Sequence, residues 1–294
     1  MKNYIIAFLV IIIIGGGVYL FIKKPFSALP TTPAENTASS VVPTVEVKES
    51  TVIGSSVEKR DITAYHFGTG PKEILFVGGI HGGYSWNTTL LAYELMDYLK
   101  ANPSAVSNNL KITVIPVLNP DGLFKVVGKD GPFTNTDVSS SQTTLVSGRF
   151  NANKVDLSRN FDCNWKSVGV WQTKNVSGGS KVFSEPEALV FKNYVEEHKP
   201  VAVVVWYSSA GGVYSSSCNS GILPETSAIT DIYAKASGYP AHKSFDFYET
   251  TGDTVNWLAK INIPAISVLL TNHQDTEWDK NKKGFEAILE HYAK

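Results

Sequence analysis

The sequence predicts an α/β domain in which helices cover both faces of one mainly parallel sheet. Nearly continuous apolar, β-branched runs recur along the chain, and amphipathic helical patterns separate them. Such runs are typical of strands buried on both faces, which occur mainly in parallel sheets. The runs span residues 73–80, 111–118, 201–207 and 265–270. Their alternation with helices predicts one sheet with helices packed on both sides.

Two of the helices between these runs have clear sequence signals. The first carries Leu91, Leu95 and Leu99, which share one helical face because they are four residues apart. A later helix is predicted to start at SEPE, residues 184–187. There the serine can cap the helix, the proline suits the first turn, and the second glutamate completes a capping box.

A final helix and a long middle segment complete the pattern. Residues 277–292 predict a helix whose buried stripe includes Phe285, Ile288 and Leu289. Residues 119–184 are dominated by Gly, Asn, Ser and Thr. Because a structureless segment of this length is uncommon unless it is functional, we expect it to contribute to a site.

Composition is that of an ordinary globular protein and excludes one class of partner. The chain has 294 residues, a hydrophobic content of 43% and a formal net charge of -1. Because there is no basic bias, no nucleic-acid partner is expected.

Residues 1–24 are predicted to form a single-pass membrane anchor. They contain an uninterrupted run of apolar residues and glycines, 4–22, that is long enough to cross a bilayer. A cleaved signal peptide is the alternative, because FSA at residues 26–28 resembles a small-residue cleavage site. Residues 25–50, rich in Pro, Thr, Ser and Ala, predict a linker. The folded domain, residues 51–294, would then stand off the membrane on its extracytoplasmic side.

The chain has two cysteines, Cys163 and Cys218, and both fall in loop-like sequence. In an exported domain they could form one disulfide. Two unrelated free thiols are the alternative, and the sequence leaves both open.

Several short motifs occur in a fixed order along the predicted domain. They are GIHG (79–82), NPDG (119–122), NANKVDLSRNFD (151–162), SEPE (184–187), YETTGDTVNW (248–257) and IPAISV (263–268). Each is weak alone, but together they resemble the zinc carboxypeptidase family, including bacterial members that trim peptidoglycan stem peptides. The resemblance implies a three-layer α/β/α sandwich around a mixed, mainly parallel, twisted sheet.

The same resemblance implies a zinc centre, and most of its residues are replaced in this chain. Members of the family hold zinc with a histidine, a glutamate three residues later and a distant histidine, and a glutamate on the last strand acts as general base. His81 matches the first ligand. Tyr84 and Tyr207 stand at the other two ligand positions, and Leu269 stands at the base position.

These replacements predict that the ordinary mechanism fails. One imidazole does not retain zinc, a tyrosine ligates only as phenolate, and a leucine cannot accept a proton. We therefore expect no cofactor, with zinc bound only if an atypical ligand set exists, for which His273 is a weak candidate. A hydrogen-bonded cluster of Tyr84, His81 and Tyr207 is expected in place of the metal, with Leu269 closing the floor.

Substrate-binding positions are better preserved. By resemblance, Arg159 would fork onto the terminal carboxylate of a peptide, Tyr248 would close over it, and Arg149 would steady the carbonyl of the last peptide bond. The residue before Arg159 is a serine where the family has asparagine, which weakens that clamp. Arg159 could instead form a structural salt bridge with Asp156 or Asp162.

Three functions remain open from the sequence. The first is a membrane-anchored pseudopeptidase that binds peptide or cell-wall stem-peptide termini without cutting them. The second is an active metallocarboxypeptidase with an atypical ligand set, and the third is a structural or interaction domain with a filled cleft. The expected partners are a peptide with a free carboxylate and, through the anchor, a membrane.

Overall fold

The computed structural model describes residues 50–294. The predicted anchor, 1–24, and all but the last residue of the predicted linker, 25–50, lie outside the described residues. Within the described part of the chain, no helix has both the length and the apolar character needed to cross a membrane.

The described residues contain strands and helices in alternation. The strands are β1 (Thr51–Ser55), β2 (Asp61–Phe67), β3 (Lys72–Val77), β4 (Leu110–Ile115), β5 (Val168–Trp171), β6 (Lys174–Ser177), β7 (Ala202–Ser208), β8 (Gly212–Ser215), β9 (Ala241–His242) and β10 (Ala265–Leu270). The α-helices are α1 (Trp86–Ala101), α2 (Pro120–Val127), α3 (Gln142–Ser147), α4 (Pro186–His198), α5 (Pro224–Ser237), α6 (Thr254–Lys260) and α7 (Trp278–Tyr292).

A mixed 8-stranded sheet organises the fold, with strand order β1-β2-β4-β3-β7-β10-β8-β9. Its four central strands, β4, β3, β7 and β10, run parallel to one another. Antiparallel neighbours, β2 and β8, flank this central group. The remaining strands, β5 and β6, form a separate antiparallel pair. The predicted mixed, mainly parallel sheet is therefore confirmed.

Helices cover both faces of the sheet, because successive strand residues point to opposite sides. On one face, Phe76 and Val204 pack into a core with residues of α1, α5 and α7. On the other face, Leu75 and Val205 pack with residues of α4 and α6. Fully burying one such side chain stabilises the fold by about 1.5–3 kcal/mol. The three-layer α/β/α sandwich is confirmed.

The start of α4 differs from the prediction. The helix begins one residue after Glu185, which is its N-cap and makes no side-chain cap hydrogen bond. The Ser184 hydroxyl donates to the Glu185 carboxylate at 2.8 Å instead of capping. Glu187 accepts from the Val57 backbone and from the Asn151 side chain. The predicted capping box is wrong because the neighbouring Glu185 binds the Ser184 hydroxyl and residues distant in sequence bind Glu187.

The middle segment is more regular than its composition predicts. Residues 119–184 contain α2, α3, β5 and β6, so the expectation of a structureless segment is wrong. The NPDG motif starts α2, where the Asn119 side chain accepts from the Gly122 backbone at 2.9 Å. Leu123 and Val126 of α2 then pack against Trp86 in a small separate core. Few apolar residues are needed for such a short helix, which is why periodicity does not reveal it.

Candidate functional site

The carboxyl ends of three neighbouring parallel strands meet at one cleft. His81 follows β3, Tyr207 lies near the end of β7, and Leu269 of β10 pairs with Tyr207 in the strand register. Ligands of open α/β sheets bind outside the carboxyl ends of the strands. The cleft has a volume of about 650 Å³, and every candidate site residue predicted from the sequence lines it.

A glycine turn delivers His81 to this cleft. Gly79 has φ 62°, in the left-handed region that favours glycine. A Cβ at this position would lie 2.8 Å from the Thr89 hydroxyl and 3.0 Å from the Pro116 carbonyl oxygen. The Gly79 N–H donates to the Thr88 hydroxyl at 3.0 Å, which ties the turn to α1. The backbone here therefore requires the glycine of the GIHG motif.

His81 is held through one of its ring nitrogens. Its Nε2 lies 3.0 Å from the Ser158 hydroxyl and 3.7 Å from Asp156 Oδ1. The Ser158 hydroxyl in turn donates to Asp156 Oδ1 at 2.8 Å. Burial lowers the pKa of His81 well below its ordinary value, and Arg149 acts in the same direction, although Asp156 opposes them. The imidazole is therefore neutral at neutral pH.

Asp156 and Arg149 form a buried ion pair behind His81. Arg149 Nε donates to Asp156 Oδ2 at 2.8 Å, and Nη2 lies at the same distance. Burial acts to raise the pKa of Asp156, but Arg149, His81 and Arg159 outweigh it and hold that pKa well below its usual range. The Arg149 guanidinium also lies 4.5 Å from the centre of the Trp171 ring. Arg149 thus lines the cleft with its charge already balanced by Asp156.

Arg159 is the cleft arginine whose charge has no such partner. Its Nη2 and Nε donate to the Val170 carbonyl at 3.1 Å and 3.3 Å, and Nη1 donates to the Ser158 carbonyl at 2.8 Å. The side chain is buried, with 2% of the residue exposed. Tyr248 packs over it, with its ring centre 5.8 Å from the guanidinium carbon. These carbonyls and the Ser158 hydroxyl, which accepts from Nη1 at 3.2 Å, are all neutral and fix the guanidinium at the edge of the cleft.

The alternative in which Arg159 forms a structural salt bridge is wrong. Asp156 pairs with Arg149, and Asp162 pairs with Lys260 at 2.8 Å. Across residues 50–294, Arg159 forms no salt bridge.

Tyr84 does not join His81 in the expected hydrogen-bonded cluster. Its ring packs edge-on against Trp171 with centroids 5.0 Å apart, and against His273 with centroids 4.5 Å apart. Tyr207 packs on the His81 ring at 5.2 Å, but its hydroxyl has no hydrogen-bond partner in the described part of the chain. The predicted Tyr–His–Tyr chain is wrong because Ser158 takes the His81 Nε2 and aromatic packing takes Tyr84.

The donor groups at the ligand positions do not suit zinc. Burial raises the pKa of the Tyr207 phenol well above its ordinary value, and Asp253 adds to the effect, so the phenolate is strongly disfavoured. Burial likewise raises the pKa of Tyr84. Leu269 offers no donor atom. Within residues 50–294, no group of three or more His, Cys, Asp or Glu side chains could hold a metal ion. His81 is left as a single imidazole, which does not fit a catalytic zinc site.

The third function, a filled cleft, conflicts with the open cavity. Tyr207 and Leu269 are each 7% exposed and form part of its wall rather than plugging it. His273, the weak candidate for a replacement ligand, also lines the cleft. Burial and the nearby Arg149 lower the pKa of His273 to about 4, so it is neutral at neutral pH.

Cys163 and Cys218 form a disulfide. The residues beside them, Asn164 and Ser217, both line the cleft. The crosslink therefore joins two wall segments that are distant in sequence. This outcome selects the disulfide over the two free thiols that the sequence left open.

Sequence reasoning missed the roles of two side chains that shape the site. Ser158 was seen only as a weakening of the clamp, yet it connects His81 to Asp156. Asp253 lines the cleft and caps α6 by accepting the Asn256 N–H at 3.0 Å. Burial raises the pKa of Asp253, although Arg159 opposes this. The only sequence signals for these residues were their positions inside two of the motifs.

Comparisons with known proteins agree with this architecture. The zinc carboxypeptidase family (Peptidase_M14) matches residues 45–275. The carboxypeptidase N catalytic chain of Homo sapiens is 28% identical over 209 residues, which cover 66% of this chain and 40% of that protein. Bacteriocin BCN5 of Clostridium perfringens is 26% identical over 160 residues, which cover 52% of this chain and 16% of that protein. The chain thus spans less than half the length of these curated relatives.

Solved structures share the fold at low sequence identity. Bovine thrombin-activatable fibrinolysis inhibitor, in complex with tick carboxypeptidase inhibitor, superposes with a TM-score of 0.65 at 17% identity and covers 84% of this chain and 89% of that chain. Murein-tripeptide amidase MpaA from Escherichia coli O157 has a TM-score of 0.55 at 20% identity, with 82% and 91% coverage. With the family match extending over most of the sequence, the chain belongs to the zinc carboxypeptidase family.

Proposed function

We propose that this protein is a membrane-anchored pseudopeptidase that binds peptides through their free terminal carboxylate and does not cut them. The observation that carries the proposal is the state of Arg159. Its guanidinium is buried, its hydrogen-bond acceptors are two neutral carbonyls and the Ser158 hydroxyl, and it lines an open cleft. A buried cation of this kind favours an anionic ligand, and a guanidinium suits a carboxylate because it can donate two parallel hydrogen bonds.

The lack of cutting follows from the groups at the catalytic positions. Leu269 cannot accept a proton from water, and general acid–base catalysis is worth about 10²–10⁴-fold in rate. Tyr84 and Tyr207 are neutral phenols, which cannot complete a zinc site with His81. Positioning by Arg159 and Tyr248 could still bind a substrate, but it supplies no nucleophile.

Three observations support the ligand class and the cellular location in this proposal. The murein-tripeptide amidase, which shares the fold, is named for a cell-wall peptide, and this favours a peptidoglycan stem peptide among the candidate ligands. The disulfide favours an oxidising compartment. The apolar run at 4–22 supports an anchor that places the domain outside the cytoplasm.

Calorimetry on the purified full chain tests the proposal. A short peptide with a free carboxylate should bind, and the same peptide with an amidated terminus should bind much more weakly. Arg159→Ala should lower the affinity about 10- to 100-fold, the value of losing charge-assisted hydrogen bonds worth about 1.5–3 kcal/mol. Arg159→Lys should recover only part of the loss, and Lys100→Ala, on the surface of α1, should change nothing. Equal binding of the free and amidated peptides would refute the proposal.

An active hydrolase with an atypical ligand set is the alternative that the same samples can decide. His273 lines the cleft and is neutral, so it offers a second imidazole near Tyr84. Stoichiometric zinc in the purified protein, together with peptide hydrolysis that disappears in His81→Ala, would establish this alternative. We expect neither metal retention nor release of a terminal residue.

A further inference from the structure

Two neighbouring rings in the cleft each carry a buried polar atom without a hydrogen-bond partner among residues 50–294, and these atoms are Nδ1 of His81 and the hydroxyl of Tyr207. Three other cleft-lining residues, Arg149, Tyr214 and His273, also have one such atom. His81 and Tyr207 are 6% and 7% exposed, and both line the cleft. Buried polar atoms in native proteins are nearly always paired, so an orphaned pair in one cavity points to a ligand that completes it.

Hydrogen bonds around Ser158 fix which atom of His81 is free. The Ser158 hydroxyl has one proton, and it donates that proton to the ionised Asp156 at 2.8 Å. Its oxygen accepts from Arg159 Nη1 at 3.2 Å and lies 3.0 Å from His81 Nε2. With its proton already used, the serine can only accept from His81, so Nε2 carries the imidazole proton. Nδ1 therefore presents a lone pair and acts only as an acceptor.

This direction of the hydrogen bonds also excludes a serine nucleophile. In a Ser–His–Asp triad the histidine accepts the serine proton and its other nitrogen donates to the carboxylate. Here Ser158 donates to Asp156 directly, and the second nitrogen of His81 has no partner among the described residues. Ser158 is thus a positioning residue that orients the imidazole.

Tyr207 offers the complementary group beside this acceptor. Its phenol is protonated, and its ring centre lies 5.2 Å from that of His81. Thr254 lies near the hydroxyl, but both hydroxyls lack a partner with hydrogen-bonding geometry in the described part of the chain. A protonated phenol without an acceptor can donate to a carbonyl.

We propose that His81 and Tyr207 form a neutral amide-binding pair at the place where the family binds its metal. His81 Nδ1 accepts the N–H of the last peptide bond of a bound peptide, and Tyr207 donates to a backbone carbonyl next to it. Ser158 fixes the spacing between the carboxylate site at Arg159 and the amide site at His81, because its oxygen contacts both side chains. The inference rests on the proposed function, since it requires a peptide whose carboxylate is held by Arg159.

The chemistry of the pair excludes other ligands at the same atoms. A lone pair on Nδ1 repels a carboxylate or a phosphate, so the anionic end of the ligand belongs at Arg159. A single imidazole beside a protonated phenol gives a divalent cation one ligand, which is fewer than any catalytic zinc site uses. A backbone segment provides an N–H and a carbonyl close together, which matches one acceptor and one donor.

A peptide and its depsipeptide test the assignment on the full chain. In the depsipeptide an ester oxygen replaces the N–H of the last peptide bond, while the free carboxylate is unchanged. Calorimetry should give about threefold to tenfold weaker binding of the ester by the wild-type protein, the effect of one net hydrogen bond. His81→Ala should bind the two ligands equally. Tyr207→Phe should lower the affinity for both by a similar factor, and Tyr93→Phe, which removes a phenol hydroxyl on α1 outside the cleft, should not.

The ligand-side comparison keeps the test decisive if a variant folds poorly, because it uses the wild-type protein. Imidazole nitrogen shifts of ¹⁵N-histidine-labelled protein give a second readout, in which Nδ1 of His81 changes from unprotonated to hydrogen-bonded on adding the peptide but not the ester. Equal affinity of the wild type for peptide and ester, with the carboxylate still required, overturns the amide-binding pair alone. Failure of every free-carboxylate peptide to bind overturns the proposed function and the pair together.

Discussion

Asp156→Asn is expected to destabilise the fold strongly. Asp156 Oδ2 accepts a hydrogen bond from Arg149 Nε at 2.8 Å and lies 2.8 Å from Arg149 Nη2 in the ion pair. Oδ1 accepts from the Ser158 N–H and hydroxyl at 3.2 Å and 2.8 Å. An asparagine fits the same volume, but its amide nitrogen must face either the Arg149 donors or the Ser158 donors. The donors of one residue, Arg149 or Ser158, then face the N–H groups of the amide and lose their acceptor. The buried guanidinium also loses its counter-ion.

The magnitude follows from the burial of both partners. Asp156 is fully buried and Arg149 is 1% exposed, so solvent cannot replace the missing charge. Removing one partner of a buried ion pair costs about 3–5 kcal/mol. For a domain of this size, each kcal/mol lowers the melting temperature by about 2–4 °C, so a decrease of roughly 6–20 °C is expected.

Urea denaturation at neutral pH measures this cost, and a double-mutant cycle tests its origin. Arg149→Met alone leaves the Asp156 carboxylate unpaired, and it should also destabilise the fold. Combined with Asp156→Asn, it should cost less than the sum of the two single changes, by about 0.5–3 kcal/mol. The reasoning fails if Asp156→Asn costs less than about 1 kcal/mol or if the two changes are additive.

The same ion pair predicts a pH dependence with a definite sign. The pKa of Asp156 is lower in the folded state than its ordinary value of 3.8. The stabilisation is therefore complete above the unfolded-state pKa, and it is lost as the pH falls below about 4 toward the folded-state pKa. Asp156→Asn should remove this component of acid denaturation.

Two further predictions concern groups near the cleft. Burial lowers the folded-state pKa of His81, and lowers that of His273 to about 4, so the unfolded chain binds protons more readily below pH 6.5. The free energy of unfolding should then fall with decreasing pH by up to about 1.4 kcal/mol per pH unit for each histidine. In urea titrations between pH 6.5 and 4, His273→Gln should reduce this dependence of the unfolding free energy on pH. An unchanged dependence in the variant would contradict the prediction. Replacing both Cys163 and Cys218 by serine opens a crosslink that spans 55 residues, which should cost about 4 kcal/mol by loop entropy. A reducing agent should lower the urea midpoint of the wild type but not that of the double variant. Equal midpoints for the wild type and the double variant in the absence of a reducing agent would refute the estimate.

Strands that are buried on both faces were the easiest part of the fold to predict. The four predicted runs correspond to β3, β4, β7 and β10, the parallel centre of the sheet. Their continuous apolar character is imposed by the two layers of helices, so a local pattern carries tertiary information. The short elements α2, α3, β5 and β6 have four to eight residues each, too few for a clear period, and β5 and β6 form a two-stranded sheet of their own outside the large sheet.

Positions in the candidate site were predicted more reliably than side-chain directions. His81, Tyr207 and Leu269 lie at strand ends, so fold geometry alone brings them to one cleft. The direction of Tyr84 depends on Trp171, which is distant in sequence and packs against its ring at 5.0 Å. The role of Ser158 as a link between His81 and the Asp156–Arg149 ion pair depends on distances that a motif cannot provide.

The charges of the cleft suit a ligand with one carboxylate followed by neutral amides. Asp156 is balanced by Arg149, Asp253 caps α6, and the groups at the positions where the family has its metal ligands and base are neutral. A glutamate at position 84 or 269 without a metal ion would be an uncompensated carboxylate in a largely buried site, which is costly. In the proposed function, phenols and a leucine at these positions remove the carboxylates that would be uncompensated without zinc, while Arg159 remains outside any salt bridge among the described residues and is available to a ligand carboxylate.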